Sequence, residues 1–265
     1  MKQPIQLGNT TLSYIDQGTG DTLVLLHGFC GSSAYWRHVI PSLSAYYRVI
    51  APDLRGHGES SAPDGPYTME VFADEIAALL DALGIEKTVM LGHSLGGYIT
   101  LTFAEKHADK LHGFGLVHST AYPDSDEAKA NRDKGAESIQ KYGMEAFIRA
   151  LIPKLFAPGN LSGMPEEVGE VEVIGLGTKP DGAIHTLRGM RDRVDRNHVL
   201  TSTDLPVFLL AGAEDQIIPL EKAFAVERPN VTKAKLEGVG HMGMVEKPER
   251  VVEEIGEFLR GVYRK

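Results

Sequence analysis

The run LGHSLGGY, residues 91–98, sets Ser94 between Gly92 and Gly96, with Gly97 just beyond. The apolar run KTVMLGH (87–93) precedes the serine and the helical run LGGYITLTFAEKH follows it, so Ser94 falls where a strand gives way to a helix. Such a junction turns sharply. Its central residue is held at strained dihedrals, and side chains at Gly92 or Gly96 would collide as strand and helix approach each other. A hydroxyl exposed there, beside the first amides of a helix that begins at Leu95, is placed for nucleophilic attack on a carbonyl.

A serine hydroxyl attacks at neutral pH only if a base removes its proton. Of the ten histidines, His241 lies in EGVGHMGMVEKPERV, a glycine-rich loop between the last strand and the last helix. That is the sheet end where strands of an open α/β fold bind ligands. His27, His57 and His118 also follow strands and compete for the role, whereas His93 is turned away and is assigned to packing. The base needs a carboxylate to fix its tautomer. Asp215 in LLAGAEDQIIP follows the penultimate strand, with Glu214 and Asp124 as alternatives. Ser94, Asp215 and His241 then occur in the chain order of a serine hydrolase triad. Leu95 supplies one backbone amide for an oxyanion, and Phe29 in the glycine-rich loop HGFCGSS (27–33) is the choice for the second. His118 and Tyr122 are expected to touch substrate, so that they decide which bond is cleaved.

The elements that position these residues can be read from periodicity. Apolar runs at TLVLLHG (22–28), YRVIAPD (47–53), KTVMLGH, GFGLVHS (113–119), LPVFLLAG (205–212) and TKAKLEGVG (232–240) suit strands covered on both faces. Met69, Phe72, Ile76, Leu79, Leu80 and Leu83 recur at helical spacing, with Thr68 to cap the start and Gly84 to end it. Val251, Val252, Ile255, Phe258 and Leu259 repeat that pattern in a final helix. The alternation predicts an α/β fold with a doubly wound, mostly parallel sheet. Between Tyr122 and Thr203 the rhythm breaks into helical sequence without a strand. Residues 1–121 and 204–265 are therefore expected to form the core, and 122–203 an inserted helical cap.

Composition narrows the function. The chain has 265 residues, 42% of them hydrophobic, and a formal net charge of -9. No run of Lys or Arg offsets that charge, which argues against a nucleic-acid partner. A single cysteine, Cys30, excludes an internal disulfide framework and a thiolate metal cluster within one chain. The N-terminus lacks the apolar centre of a signal peptide, and no apolar run approaches about 20 residues. A soluble, cytoplasmic protein acting on a small-molecule substrate away from membranes is the expectation.

Together, HGFCGSS, PDLRGHGES (52–60), GHSLGG, GAEDQIIP and GHMGMVEKP resemble the α/β-hydrolase superfamily over nearly the whole chain. The resemblance implies Ser94 as nucleophile, His241 as base, Asp215 as acid, and the Phe29 and Leu95 amides as the oxyanion hole. It implies no metal or organic cofactor, and a structural part for Asp53 and Arg55 in PDLRGHGES. A serine at the elbow separates this chain from haloalkane dehalogenases and epoxide hydrolases, which carry a carboxylate there. The expected activity is hydrolysis of a small or medium carboxylic ester through an acyl-enzyme. The same triad would also serve a lactonase, a carbon–carbon bond hydrolase or a cofactor-free perhydrolase that registers as a haloperoxidase. A ligand receptor that retains the fold without turnover is the alternative from outside enzymology.

Overall fold

The structure is a computed structural model and is described for residues 2–263. Eight strands form one sheet in the order β1-β2-β4-β3-β5-β6-β7-β8. The strands are β1 Lys2–Leu7, β2 Thr10–Gln17, β3 Thr22–Leu26, β4 Arg48–Pro52, β5 Thr88–His93, β6 Leu111–Val117, β7 Val207–Gly212 and β8 Val231–Leu236. From β4 across to β8 every pairing is parallel, whereas β1 pairs β2, and β2 pairs β4, antiparallel. Every residue of β3, β5 and β7 is buried, because helices cover both faces, and this is why those strands read as unbroken apolar runs.

The N-terminal hairpin β1–β2 has no counterpart among the strands expected from sequence. KQPIQL is half polar and keeps one edge in solvent, so it carries no continuous apolar signal. The six expected strands are all present, as β3 to β8, but β8 is the outer edge of the sheet with only Ala234 and Leu236 buried, so it is not covered on both faces as expected. Thr68 caps the helix Met69–Ala82 by accepting from the Val71 amide, and Gly84 ends that segment at φ 64°. The final helix, Pro248–Tyr263, buries Val251, Ile255, Phe258 and Leu259 against the sheet.

The strand order reverses direction at β3. The chain passes from β3 to β4 on one side and then to β5 on the other. Loops leaving β3 and β5 therefore diverge around a crevice at their C-terminal ends, where open parallel sheets bind ligands. Phe29 follows β3 and Ser94 follows β5. Between β6 and β7 lie the helices Asp126–Leu151, broken at Gly143, then Pro165–Leu176, Pro180–Arg191 and Asn197–Ser202. Arg196 ties the return of this segment to the core through Glu105 (3.0 Å) and Glu70 (2.5 Å).

The turn after β4 is held by its own polar side chains. Asp53 accepts from Ser33 N, Ser33 Oγ, Glu59 N and Lys2 Nζ at 2.7–2.9 Å. Burial pushes the Asp53 carboxyl up, but these donors hold it net below its ordinary value. Arg55 is paired with Glu75 and with Thr10. His27 donates from Nδ1 to Gly28 O (2.8 Å) and accepts from the Leu54 amide at Nε2 (2.9 Å), linking the ends of β3 and β4. His57 donates to Arg55 O at 2.9 Å, 5.3 Å from the His27 ring. Both rings are thus structural, and both work as neutral imidazoles.

Burial pushes His27 down to about 4 and His57 down to about 3. An unfolded histidine takes up its proton near pH 6.5, so below that pH the unfolded chain binds more protons than the folded one. Stability is therefore expected to fall from pH 6.5 toward pH 4, by about 2 kcal/mol per ring at pH 5. Urea unfolding at pH 7, 6 and 5 measures this; a midpoint that does not move over that range contradicts it.

Candidate active site

Ser94 occupies φ 51°, ψ -111°, a conformation that non-glycine residues adopt only under constraint. The constraint comes from packing on both sides. A Cβ at Gly92 would sit 2.1 Å from Gly96 O, and one at Gly96 would sit 2.6 Å from Leu26 O. Strand and helix thus meet at backbone contact, and the turn between them lifts the serine side chain clear. The Ser94 amide donates to Val117 O at 3.0 Å and Ser119 Oγ donates to Ser94 O at 2.7 Å, which fixes the turn against β6.

The loop after β3 lies against this turn: a Cβ at Gly28 would come within 3.3 Å of Ser94 Cβ. Neither the Phe29 amide nor the Leu95 amide donates a hydrogen bond among the described residues. Cys30, also in this loop, is buried at φ 55°, and burial pushes its thiol well up, which suits packing rather than nucleophilic work.

His241 Nδ1 donates to Asp215 Oδ2 at 2.7 Å, with both side chains almost fully buried. Asp215 Oδ1 accepts from the Ile217 and Ile218 amides at 2.8 and 2.9 Å, so the carboxylate has one orientation. Burial alone would push Asp215 up, but His241 and His118 beside it reverse that and hold the carboxyl well below its usual range. With Nδ1 donating, the neutral His241 ring presents an unprotonated Nε2. No hydrogen bond joins Ser94 Oγ to His241 among the described residues, although both residues line one pocket. Glu214 points to solvent, and Asp124 is held by Arg132 and Arg193, so neither alternative acid reaches the imidazole.

That pocket is a cavity of about 80 Å³. Phe29, Leu151, Leu155, Met190 and Ile217 give it apolar walls, and Tyr35, Tyr98, His93 and Arg132 complete it. A larger, open groove of about 630 Å³ near Arg48, Lys87 and His112 lies at the opposite, N-terminal end of the strands and contains neither Ser94 nor His241. Among the described residues no group of His, Cys, Asp and Glu side chains is arranged to hold a metal ion.

Two expected substrate contacts fall elsewhere. His118 is fully buried beneath Asp215: its positive φ of 48° turns the ring inward, and Nδ1 accepts from the Gly212 amide at 3.2 Å. Tyr122 is 38% exposed and its carbonyl accepts from Arg193, outside the Ser94 pocket. Conversely, His93 does face the pocket, and its Nε2 donates to His241 O at 2.9 Å, holding the main chain of the candidate base.

Sequence reading also missed Glu246, which is buried. Its Oε1 accepts from the Gly240 and Met242 amides at 3.0 and 3.1 Å, on both sides of His241. Its Oε2 accepts from Ala157 N and Asn160 Nδ2 at 2.9 and 2.7 Å. The His241 amide itself donates to Leu155 O at 2.7 Å, and Gln216 Nε2 donates to Phe156 O at 3.0 Å. The histidine loop, the acid loop and residues 155–160 are one hydrogen-bonded unit. The only hint in the sequence is an acidic residue five positions after the histidine, a spacing with no meaning until its partners are known.

A strained serine between two glycine contacts, at the switch point of a mostly parallel sheet, thus shares a pocket with a buried His–Asp pair. The profile of the family described as alpha/beta hydrolase fold matches residues 21–159, just over half of the chain, and the protein belongs to that family. It is a hydrolase. A thermophilic esterase from Thermogutta terrifontis, in a malate-bound structure, is 35% identical with a TM-score of 0.94 over 99% of both chains. The esterase RhEst1 from Rhodococcus sp. ECU1013 is 28% identical with a TM-score of 0.84, over 99% of this chain and 98% of that one. The 2-(acetamidomethylene)succinate hydrolase of Mesorhizobium japonicum is 26% identical over 266 residues, covering 96% of this chain and 94% of the relative. No helix among the described residues is long and apolar enough to cross a membrane.

Proposed function

We propose that this hydrolase cleaves small or medium carboxylic esters through an acyl-enzyme on Ser94. Ser94 Oγ attacks the ester carbonyl while His241 Nε2 takes its proton, a transfer that requires the serine or the ring to close the remaining gap once substrate fills the pocket. The resulting oxyanion meets the Phe29 and Leu95 amides. Collapse breaks the carbon–oxygen bond to the alcohol, which leaves with the proton from the imidazolium. Water then repeats the sequence on the acyl-enzyme, returning the acid and free Ser94. His241 gains its positive charge beside the Asp215 carboxylate, which stabilises it.

The observation that carries this reading is the 2.7 Å His241–Asp215 hydrogen bond at a pocket shared with the strained Ser94. The narrow apolar cavity favours short acyl groups, and residues 122–203 act as the cap that shapes it. The 35% identical esterase over nearly the full chain supports ester chemistry over other bonds. A fluorophosphonate is the direct probe. One adduct per chain, on the tryptic peptide 88–106, is expected together with loss of p-nitrophenyl butyrate hydrolysis. Hydrolysis that persists in a chain left unlabelled overturns the assignment.

A further inference from the structure

Beyond Ser94, the histidines and the tyrosines, the pocket at Ser94 has apolar walls and one permanently charged side chain. Arg132, on the helix Asp126–Leu151, lines it, and no carboxylate does. Its Nε donates to Asp124 Oδ2 at 3.1 Å, while Nη1 and Nη2 have no hydrogen-bond partner among the described residues. The side chain is a quarter exposed, so its terminal nitrogens are accessible.

Asp124 does not neutralise this guanidinium alone. Its other oxygen accepts from Arg193 Nη1 at 2.6 Å. Arg193 is buried, bonds otherwise, among the described residues, to the carbonyls of Tyr122 and Met190 alone, and stacks 4.0 Å over the Tyr98 ring, itself a wall of the pocket. The nearest acid along the helix, Asp133, is paired with Arg191 instead. Two guanidinium groups share one carboxylate, leaving a formal charge of about +1 against an apolar wall, where charge interactions are stronger than in water. In a chain of net charge -9, this local excess faces the candidate nucleophile.

We propose that Arg132 anchors a free carboxylate on the substrate, so that the preferred esters are short monoesters of dicarboxylic acids or similar acidic esters. The inference rests on the serine-hydrolase reading above. Nη1 and Nη2 form a planar fork matched to a carboxylate, and Asp124 at Nε fixes its plane.

The test compares monomethyl glutarate with methyl valerate, which differ by a carboxylate in place of a methyl group, in a pH-stat at pH 7.5. For the wild-type chain kcat/KM is expected to favour the acidic ester by about tenfold or more. Arg132→Gln should lower that ratio by about 10- to 100-fold, and Arg132→Lys, which keeps charge but not the fork, should fall between. Because the readout is a ratio within one preparation, partial misfolding does not mimic it. A wild-type ratio of one or less, or an unchanged ratio in Arg132→Gln, overturns the proposal. Hydrolysis of both esters that survives Ser94→Ala overturns instead the serine-hydrolase reading on which it rests.

Discussion

Ser94→Ala is expected to lower kcat for p-nitrophenyl butyrate by a factor on the order of 10^6 while leaving the fold intact. The separation of the two effects follows from geometry. Ser94 Oγ makes no hydrogen bond among the described residues, so its removal leaves no buried partner unsatisfied. Alanine is no more strained at φ 51° than serine, because both carry the same Cβ. The thermal midpoint should stay within about 2 °C of wild type. Residual catalysis over water would come from the oxyanion amides and from binding alone. Steady-state rates at saturating ester, with a parallel thermal melt, measure both. A kcat within tenfold of wild type would remove Ser94 from the chemistry.

Asp215→Asn should lower kcat by about 10^4-fold, through the proton it misplaces and not through lost packing. Oδ1 is held by the Ile217 and Ile218 amides, so the asparagine oxygen must take that position. Its amide nitrogen then faces His241 Nδ1 and donates to it. The neutral ring is forced to carry its own proton on Nε2, the atom that must accept from Ser94. The base is present, correctly seated, and in the wrong tautomer. The Phe29 and Leu95 amides, the proposed oxyanion hole, are untouched, so KM should change far less than kcat. A loss of kcat under about tenfold would show that Asp215 does not set the tautomer of the base.

The residues read most readily from sequence are those where backbone contact admits a single residue type. Gly92 and Gly96 are legible because any Cβ there meets main chain, and the turn they permit leads directly to Ser94. Asp215 and His241 are legible because each follows a strand at the same end of the sheet, Asp215 the fully buried β7 and His241 the edge strand β8. Orientation was not legible. His93 adjoins Ser94, yet the strained turn between them leaves its ring against the main chain of His241 instead of in plain packing. His118 also follows a strand, but a positive φ sends its ring under the acid. Glu246 depends on partners supplied by a remote segment: it meets Ala157 across 89 positions of chain, and no local periodicity encodes that encounter. Arg132 bonds Asp124 eight positions away, but Arg193, which shares that carboxylate, comes from 69 positions further along the chain. The β1–β2 hairpin escaped for a different reason, since KQPIQL and TTLSYIDQ mix polar with apolar residues and carry no continuous hydrophobic run, β1 being an edge strand wet on one side.

The unit formed by residues 155–160, Glu246 and the His241 loop also constrains how such an enzyme can change its substrates. Leu155 walls the pocket with its side chain while its carbonyl holds the amide of the base. Prying that wall outward for a bulkier group would pull on the main chain of His241, so that, under the proposed mechanism, size selection and proton transfer are geared together. New selectivity therefore has its open route through lining side chains that make no hydrogen bond to that unit among the described residues, such as Met190 and Arg132.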